Sequence, residues 1–152
     1  IPDMAKKTFQ GRVVLAGNIK GKAMVSKQPF NTSGSYIEQM TSGRTDAAPC
    51  TDANNKELFG KDLSGMILCT PTTVGSTMGG MALMGVTEMG VGPQALLFSK
   101  PIDTLAAAGV LMSDIWKENR IVTVDMLGDE FLDAVMMGDP IAINEGGTVE
   151  VG

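Results

Sequence analysis

The chain has no histidine among its 152 residues. That absence excludes a Ser-His-Asp triad, a Cys-His nucleophile pair and any histidine-ligated zinc. Only two cysteines are present, Cys50 and Cys69, too few and badly spaced for a metal ribbon or a C-x-x-C redox motif. A disulfide between them stays open, although Cys69 sits in an apolar run and reads as a small core residue. Basic residues are scarce and unclustered, and the formal charge of -5 argues against a nucleic-acid partner. No apolar run is long enough to span a bilayer, and no basic-then-apolar leader precedes the first polar stretch. The expected compartment is therefore the cytoplasm.

What the chain has in quantity is methionine and glycine, 12 and 19 residues, against 5% aromatics. Glycines at that density suit many short elements joined by tight turns. Methionine fills irregular cores and also builds adaptable contact surfaces, so the group raises the prospect of a partner. With 43% hydrophobic and 19% charged residues, the chain has the composition of a folded domain. Its length suits one domain with a real core. Ile1-Pro2-Asp3 precede a Met4 that reads as the natural start, so they are expected to be a foreign remnant. Residues 1–8 read as an N-terminal extension and residues 9–152 as a single domain.

Short strands are expected at Arg12–Ala16 and Lys22–Ser26, separated by a glycine-bearing turn at Gly17–Gly21. From Lys27 to Lys61 the composition turns polar, with brief apolar relief at Tyr36-Ile37 and Leu58-Phe59. A loop of that length is either functional or idle, and the two readings weigh equally. Beyond it, strands and helices alternate: a strand at Met66–Thr70, a helix at Thr77–Met89 and a strand at Gln94–Phe98. A helix at Asp103–Met112, a strand at Arg120–Asp125 and a short helix at Asp129–Met136 follow, then strands at Pro140–Asn144 and Thr148–Val151. This alternation predicts an α/β fold: a β-rich N-terminal part packed on a small strand–helix–strand unit with parallel strands.

The segment Pro71-Thr72-Thr73-Val74-Gly75-Ser76-Thr77-Met78-Gly79 carries the chemistry. It reads as the exit of a buried strand, a tight turn and the first turn of a helix. Such a turn offers free N–H groups and the positive end of a helix dipole to a small volume. Ser76 and Thr77 add two hydroxyls, and an anion would be stabilised there. Capping of the helix by one of them is the commoner use of such a pair. The helix that follows is nearly uncharged. Its buried stripe is expected at Met78, Met81, Ala82, Gly85, Val86 and Met89, with a second cover supplied by the helix at Thr104–Leu111 or by a partner.

The order strand, Pro71, Gly75-Ser76-Thr77, apolar helix, Gly90-x-Gly92-Pro93-x-Ala95, strand resembles the small swivelling domain of the aconitase superfamily. Gly21–Ser26, Leu63–Leu68 and Ala134–Asn144 extend the likeness and bring it closest to the aconitase X branch. The resemblance implies a swivelling β/β/α domain that serves as the small subunit of an iron–sulfur hydro-lyase. It implies a large subunit that holds the cluster, with no cofactor bound by this chain alone. It also implies a small hydroxy acid as substrate, of the phosphomevalonate or cis-3-hydroxy-L-proline class. Ser76 falls on the family's serine base, with Gly75 and Thr77 beside it as substrate-binding positions.

The chain departs from the family pattern in three places. Met78 stands where aconitase and its isopropylmalate relatives have an arginine, and Thr73-Val74 stands where many aconitase X small subunits carry a basic residue. The segment Asn31–Cys50 is longer and differently composed. A second reading is a swivelling domain without chemistry that binds a small anion or a protein partner; a third is a structural subunit whose methionine-rich helix is an oligomer contact.

Overall fold

In the computed structural model, which describes residues 6–152, two short strands, β1 (Lys7–Gln10) and β2 (Arg12–Leu15), go to opposite ends of one sheet. The remnant expected at Ile1–Asp3 lies outside the described residues. Strand β1 begins inside the stretch read as an extension and pairs antiparallel with the last strand of the chain. Strand β3 (Ile19–Val25) starts earlier than expected and absorbs most of the glycine-bearing turn, because a neighbouring strand offers Ile19–Lys22 a pairing partner.

The segment Lys27–Lys61 is not an open loop. It forms a two-residue strand β4 (Phe30–Asn31) and two short helices, α1 (Thr32–Ser35) and α2 (Ile37–Ser42). It also buries Phe30, Tyr36, Ala48, Cys50 and Leu58. Strand β5 (Ile67–Thr70) follows, then another two-residue strand, β6 (Thr73–Val74), and helix α3 (Gly79–Glu88). The remaining elements are β7 (Ala95–Phe98), α4 (Thr104–Lys117), β8 (Val122–Asp125), α5 (Asp129–Ala134), β9 (Pro140–Ile143) and β10 (Thr148–Val151).

Eight strands lie in the order β1-β10-β9-β3-β5-β7-β8-β2. Pairing is parallel through β3, β5, β7 and β8 and antiparallel elsewhere. The mixed α/β architecture is the one the sequence predicts, with the N-terminal strands joined edge to edge to the parallel unit. Strand β3 makes the corner. Its first half pairs with β9 and its second half with β5, the way a strand passes from one packed layer to another. Gly21 permits this, since a Cβ there would lie 2.4 Å from Gln94 Oε1 and 3.0 Å from Ile67 Cδ1.

Side chains alternate across the parallel strands, as the pleat requires. Leu68, Leu96 and Phe98 join Leu83 and Val86 of α3 and Ala106 and Val110 of α4 in one core. Ile67, Cys69, Ala95 and Leu97 point the other way, to Phe131 of α5 and to Ile141, Ile143, Val149 and Val151 of the antiparallel strands. Two strand layers and one helix layer result.

The helix after the serine loop differs from expectation in phase and start. It begins at Gly79 and buries Gly79, Ala82, Leu83 and Val86, whereas Met78 and Met81 are exposed by 53% and 60%. The phase is set by a close crossing with α4. A Cβ on Gly80 would lie 2.5 Å from the Leu105 carbonyl oxygen, and one on Gly109 would lie 2.5 Å from the Gly80 carbonyl oxygen. Only glycines let the two backbones approach so closely, and glycines leave no mark in a hydrophobic pattern.

Candidate functional site

Gly75, Ser76 and Thr77 form an exposed turn between β6 and α3. The turn is framed from three sides. Strand β6 pairs in parallel with β4, matching Phe30 to Thr73 and Asn31 to Val74, and the Phe30 amide donates to the Thr72 carbonyl at 2.8 Å. The Thr73 hydroxyl donates to Asp103. The same aspartate caps α4 by accepting from the Leu105 and Ala106 amides at 2.8 and 3.1 Å. Thr72 Oγ1 donates to the Pro101 carbonyl at 2.6 Å. The loop is thereby tied to the start of α4 and to the segment that read as a long polar loop.

Gly75 has φ +127°, a backbone region that side chains strongly disfavour. A Cβ there would also lie 2.7 Å from Asn31 Oδ1. The residue must therefore be glycine for the loop to keep this path. Ser76 Oγ accepts from the Met78 amide at 3.2 Å, and the Gly79 amide donates to the Ser76 carbonyl at 3.0 Å. These bonds fold the chain into a turn ahead of the helix, so α3 starts two residues later than the expected Thr77. Neither hydroxyl caps α3: its cap position is Met78, with no side-chain bond. Ser76 instead shares a hydrogen bond with Ser33, Oγ to Oγ 3.2 Å. Thr77 stands on the same turn without joining that network.

Sequence reasoning missed Ser33 and Asn31, which lie 43 and 45 positions before Ser76. No local signal marks them; the β4–β6 pairing alone brings them in. It also missed a cleft of about 320 Å³ lined by Lys27, Pro71, Ser99, Lys100, Asp129 and Asp133. This cleft lies past the carboxyl ends of β5 and β7, where open α/β sheets take ligands. Its charges offset one another, and Lys27 Nζ is 3.9 Å from an Asp133 carboxylate oxygen.

The chain's own residues do not suit a metal cluster. Among the described residues, no three His, Cys, Asp or Glu side chains gather in a metal-holding arrangement. Both thiols are free and buried. Burial pushes the Cys69 thiol well above the usual range, with a smaller push from Asp139; a cluster ligand needs the opposite, a thiolate. No helix among the described residues is long and apolar enough to cross a membrane.

Fold and loop together define a β/β/α domain that presents an exposed serine-bearing turn at the amino end of a helix. The chain belongs to the aconitase X swivel domain family, which matches residues 8–151. It is similar to the phosphomevalonate dehydratase small subunit of Archaeoglobus fulgidus, 28% identical over 136 residues, which span 90% of this chain and 91% of that protein. The phosphomevalonate dehydratase small subunit of Thermococcus gammatolerans is 28% identical over 107 residues, 70% of this chain and 75% of that one. The fold is that of the crystal structure of Thermococcus kodakaraensis aconitase X in its holo-form. The two share a TM-score of 0.79 at 24% identity, covering 96% of this chain and 98% of that one. The solution structure of a UPF0107 protein is also similar, with a TM-score of 0.76 and 27% identity, covering 96% and 99%.

Proposed function

We propose that this chain is the small subunit of an aconitase-X-type hydro-lyase and that Ser76 is its base. The substrate is a small hydroxy acid of the phosphomevalonate or cis-3-hydroxy-L-proline class, and the names of the relatives favour the first. The observation that carries the reading is the Ser76 hydroxyl, exposed on a glycine-dependent turn, held by a backbone amide and placed just ahead of the amino end of α3.

A serine hydroxyl is a poor base in water. Removing its proton becomes easier where fixed donors face the oxygen, because they stabilise the charge without reorganising. The Met78 amide is one such donor, and the α3 dipole adds a smaller effect of the same sign. As base, Ser76 Oγ takes a proton from a substrate carbon. That C–H electron pair becomes the new double bond, the neighbouring C–O bond breaks, and the hydroxyl leaves. The proton gained by Ser76 returns to solvent before the next turnover. Gly75 and Thr77 border the position of the substrate. A Lewis acid for the departing hydroxyl is then the large subunit's to supply, from an iron–sulfur cluster, because no ligand cluster gathers among the described residues of this chain and its two thiols are buried.

The test is reconstitution with the large subunit, assaying mevalonate 5-phosphate and cis-3-hydroxy-L-proline. The isolated chain is expected to be inactive and free of iron, and the complex active. Ser76→Ala should lower turnover by at least ~100-fold, the usual scale for a positioned acid–base group, while the complex still forms. Thr77→Val is the neighbouring control. Turnover that survives Ser76→Ala but not Thr77→Val moves the role one residue along. Survival in both leaves the non-catalytic reading, a domain that binds an anion or a protein.

A further inference from the structure

We infer that Ser33 is a positioning residue for Ser76: it fixes the Ser76 hydroxyl and stabilises that oxygen once its proton is gone. The inference rests on the reading of Ser76 as base. Three contacts carry it. Ser33 Oγ lies 3.2 Å from Ser76 Oγ. It lies 3.4 Å from Asn31 Oδ1, to which it donates. Asn31 Oδ1 also accepts from the Gly34 amide at 3.0 Å.

Each hydroxyl carries one proton, and an amide N–H can only donate. With Ser76 protonated, a consistent arrangement runs one way: Ser76 donates to Ser33, Ser33 donates to Asn31, and the Met78 amide donates to Ser76. Once Ser76 has lost its proton, its oxygen can only accept. The Ser33 hydrogen then turns from Asn31 to Ser76 by rotation about a single C–O bond. No heavy atom moves. Asn31 Oδ1 is not stranded by this turn, because the Gly34 amide still serves it. The deprotonated oxygen gains a second donor, and bonds to an ionised acceptor are roughly twice as strong as neutral ones.

The backbone is arranged to keep this contact. Asn31 and Val74 are paired across β4 and β6, and the missing Cβ of Gly75 leaves the space that Asn31 occupies. Ser33 is half-buried, whereas Ser76 is exposed. The base thus faces outward while its supporting hydroxyl stays behind it.

The experiment uses the reconstituted complex with whichever of the two named hydroxy acids the wild type turns over. Steady-state rates against pH are measured for wild type, Ser33→Ala, Ser33→Thr and Ser76→Ala. Ser33→Ala should lower kcat on the order of 100-fold, the scale for losing one donor to a developing oxygen anion, with KM little changed. The acid limb of its rate profile should move to higher pH, because Ser76 loses its proton less readily. Ser33→Thr, which keeps the hydroxyl, should restore most of kcat. A wild-type kcat and profile in Ser33→Ala overturns the inference, as does a loss confined to KM. If Ser33→Ala does not assemble, Ser33→Gly, which also removes the hydroxyl, replaces it, and an unshifted profile there overturns the inference equally. Full turnover in Ser76→Ala sinks the serine-base reading and Ser33 with it. A dead Ser76→Ala beside a wild-type Ser33→Ala sinks only this inference.

Discussion

Gly75 shows how much one position constrains the loop. Its backbone sits at φ +127°, and its missing side chain is the space against which Asn31 lies. Gly75→Ala therefore has two costs, backbone strain and displacement of Asn31. The strain alone is worth ~1–3 kcal/mol. A lower Tm is expected from calorimetry, together with lost turnover in the complex. Gly43→Ala is the comparison: φ is +68°, within the left-handed well, and nothing lies within 4 Å of the added carbon. It should cost stability without touching turnover. Equal loss of turnover in both variants would show that the loop does not depend on the Gly75 path.

Two elements carry similar tests. Where α3 crosses α4, Gly109→Ala places a carbon 2.5 Å from the Gly80 carbonyl oxygen. Neither backbone can yield locally, so the helices must separate. A loss of ~1–3 kcal/mol is expected for such overpacking, or about 2–4 °C in Tm per kcal/mol for a domain of this size. Gly146→Ala, whose nearest neighbour would be 3.4 Å away, should leave Tm nearly unchanged. The second element is the stretch from Ala48 to Ser64. Partial burial pushes the Asp62 carboxyl up, but bonds from the Ala48 amide and from the Ser64 hydroxyl and amide hold it below the usual carboxylate range. A folded value below the unfolded one means that Asp62 stabilises the fold above the ordinary aspartate value of ~3.9, and that this contribution fades as pH falls through the folded value. The Tm gap between wild type and Asp62→Asn should accordingly be widest near neutral pH and close in acid. A gap that stays constant with pH would refute it.

At the scale of the whole molecule, the legible parts were those in which one local signal sufficed. Strands β5, β7 and β8 are buried on both faces; β5 and β7 lie in apolar runs, and β8 is marked by the β-branched Val122, Thr123 and Val124. Helix α4 was expected from Asp103, which proves to be its cap, and it runs on to Lys117, past the expected Met112. The serine turn was legible through its Gly-Ser-Thr. What was hidden depends on distant contacts. The core residues of the Lys27–Lys61 segment follow no period, because each answers to a different neighbour. The phase of α3 is set by glycines on two helices, so Met78 and Met81 of the expected stripe are exposed, while Ala82 and Val86 are buried as expected and Met89 packs against the core. Ser33 could not be read at all, since its relation to Ser76 exists only after β4 and β6 have paired.

Gly11 is the one residue between β1 and β2, the two ends of the eight-strand order, and its amide donates to the Gly147 carbonyl at 3.1 Å. The strands therefore form a hoop with a single-residue clasp. A hoop cannot close from a local nucleus, because the clasp needs Lys7 beside Val151 and Arg12 beside Asp125. On a ribosome the clasp must wait until Val151 has emerged, while the parallel unit from β5 to β8 can gather beforehand. Contacts so remote in sequence slow folding to roughly milliseconds to seconds. In stopped-flow refolding, substitutions that weaken the clasp, such as Val149→Ala, should speed unfolding and leave the folding rate nearly unchanged, whereas Leu97→Ala in the parallel unit should slow folding. The reverse pattern would place the clasp first.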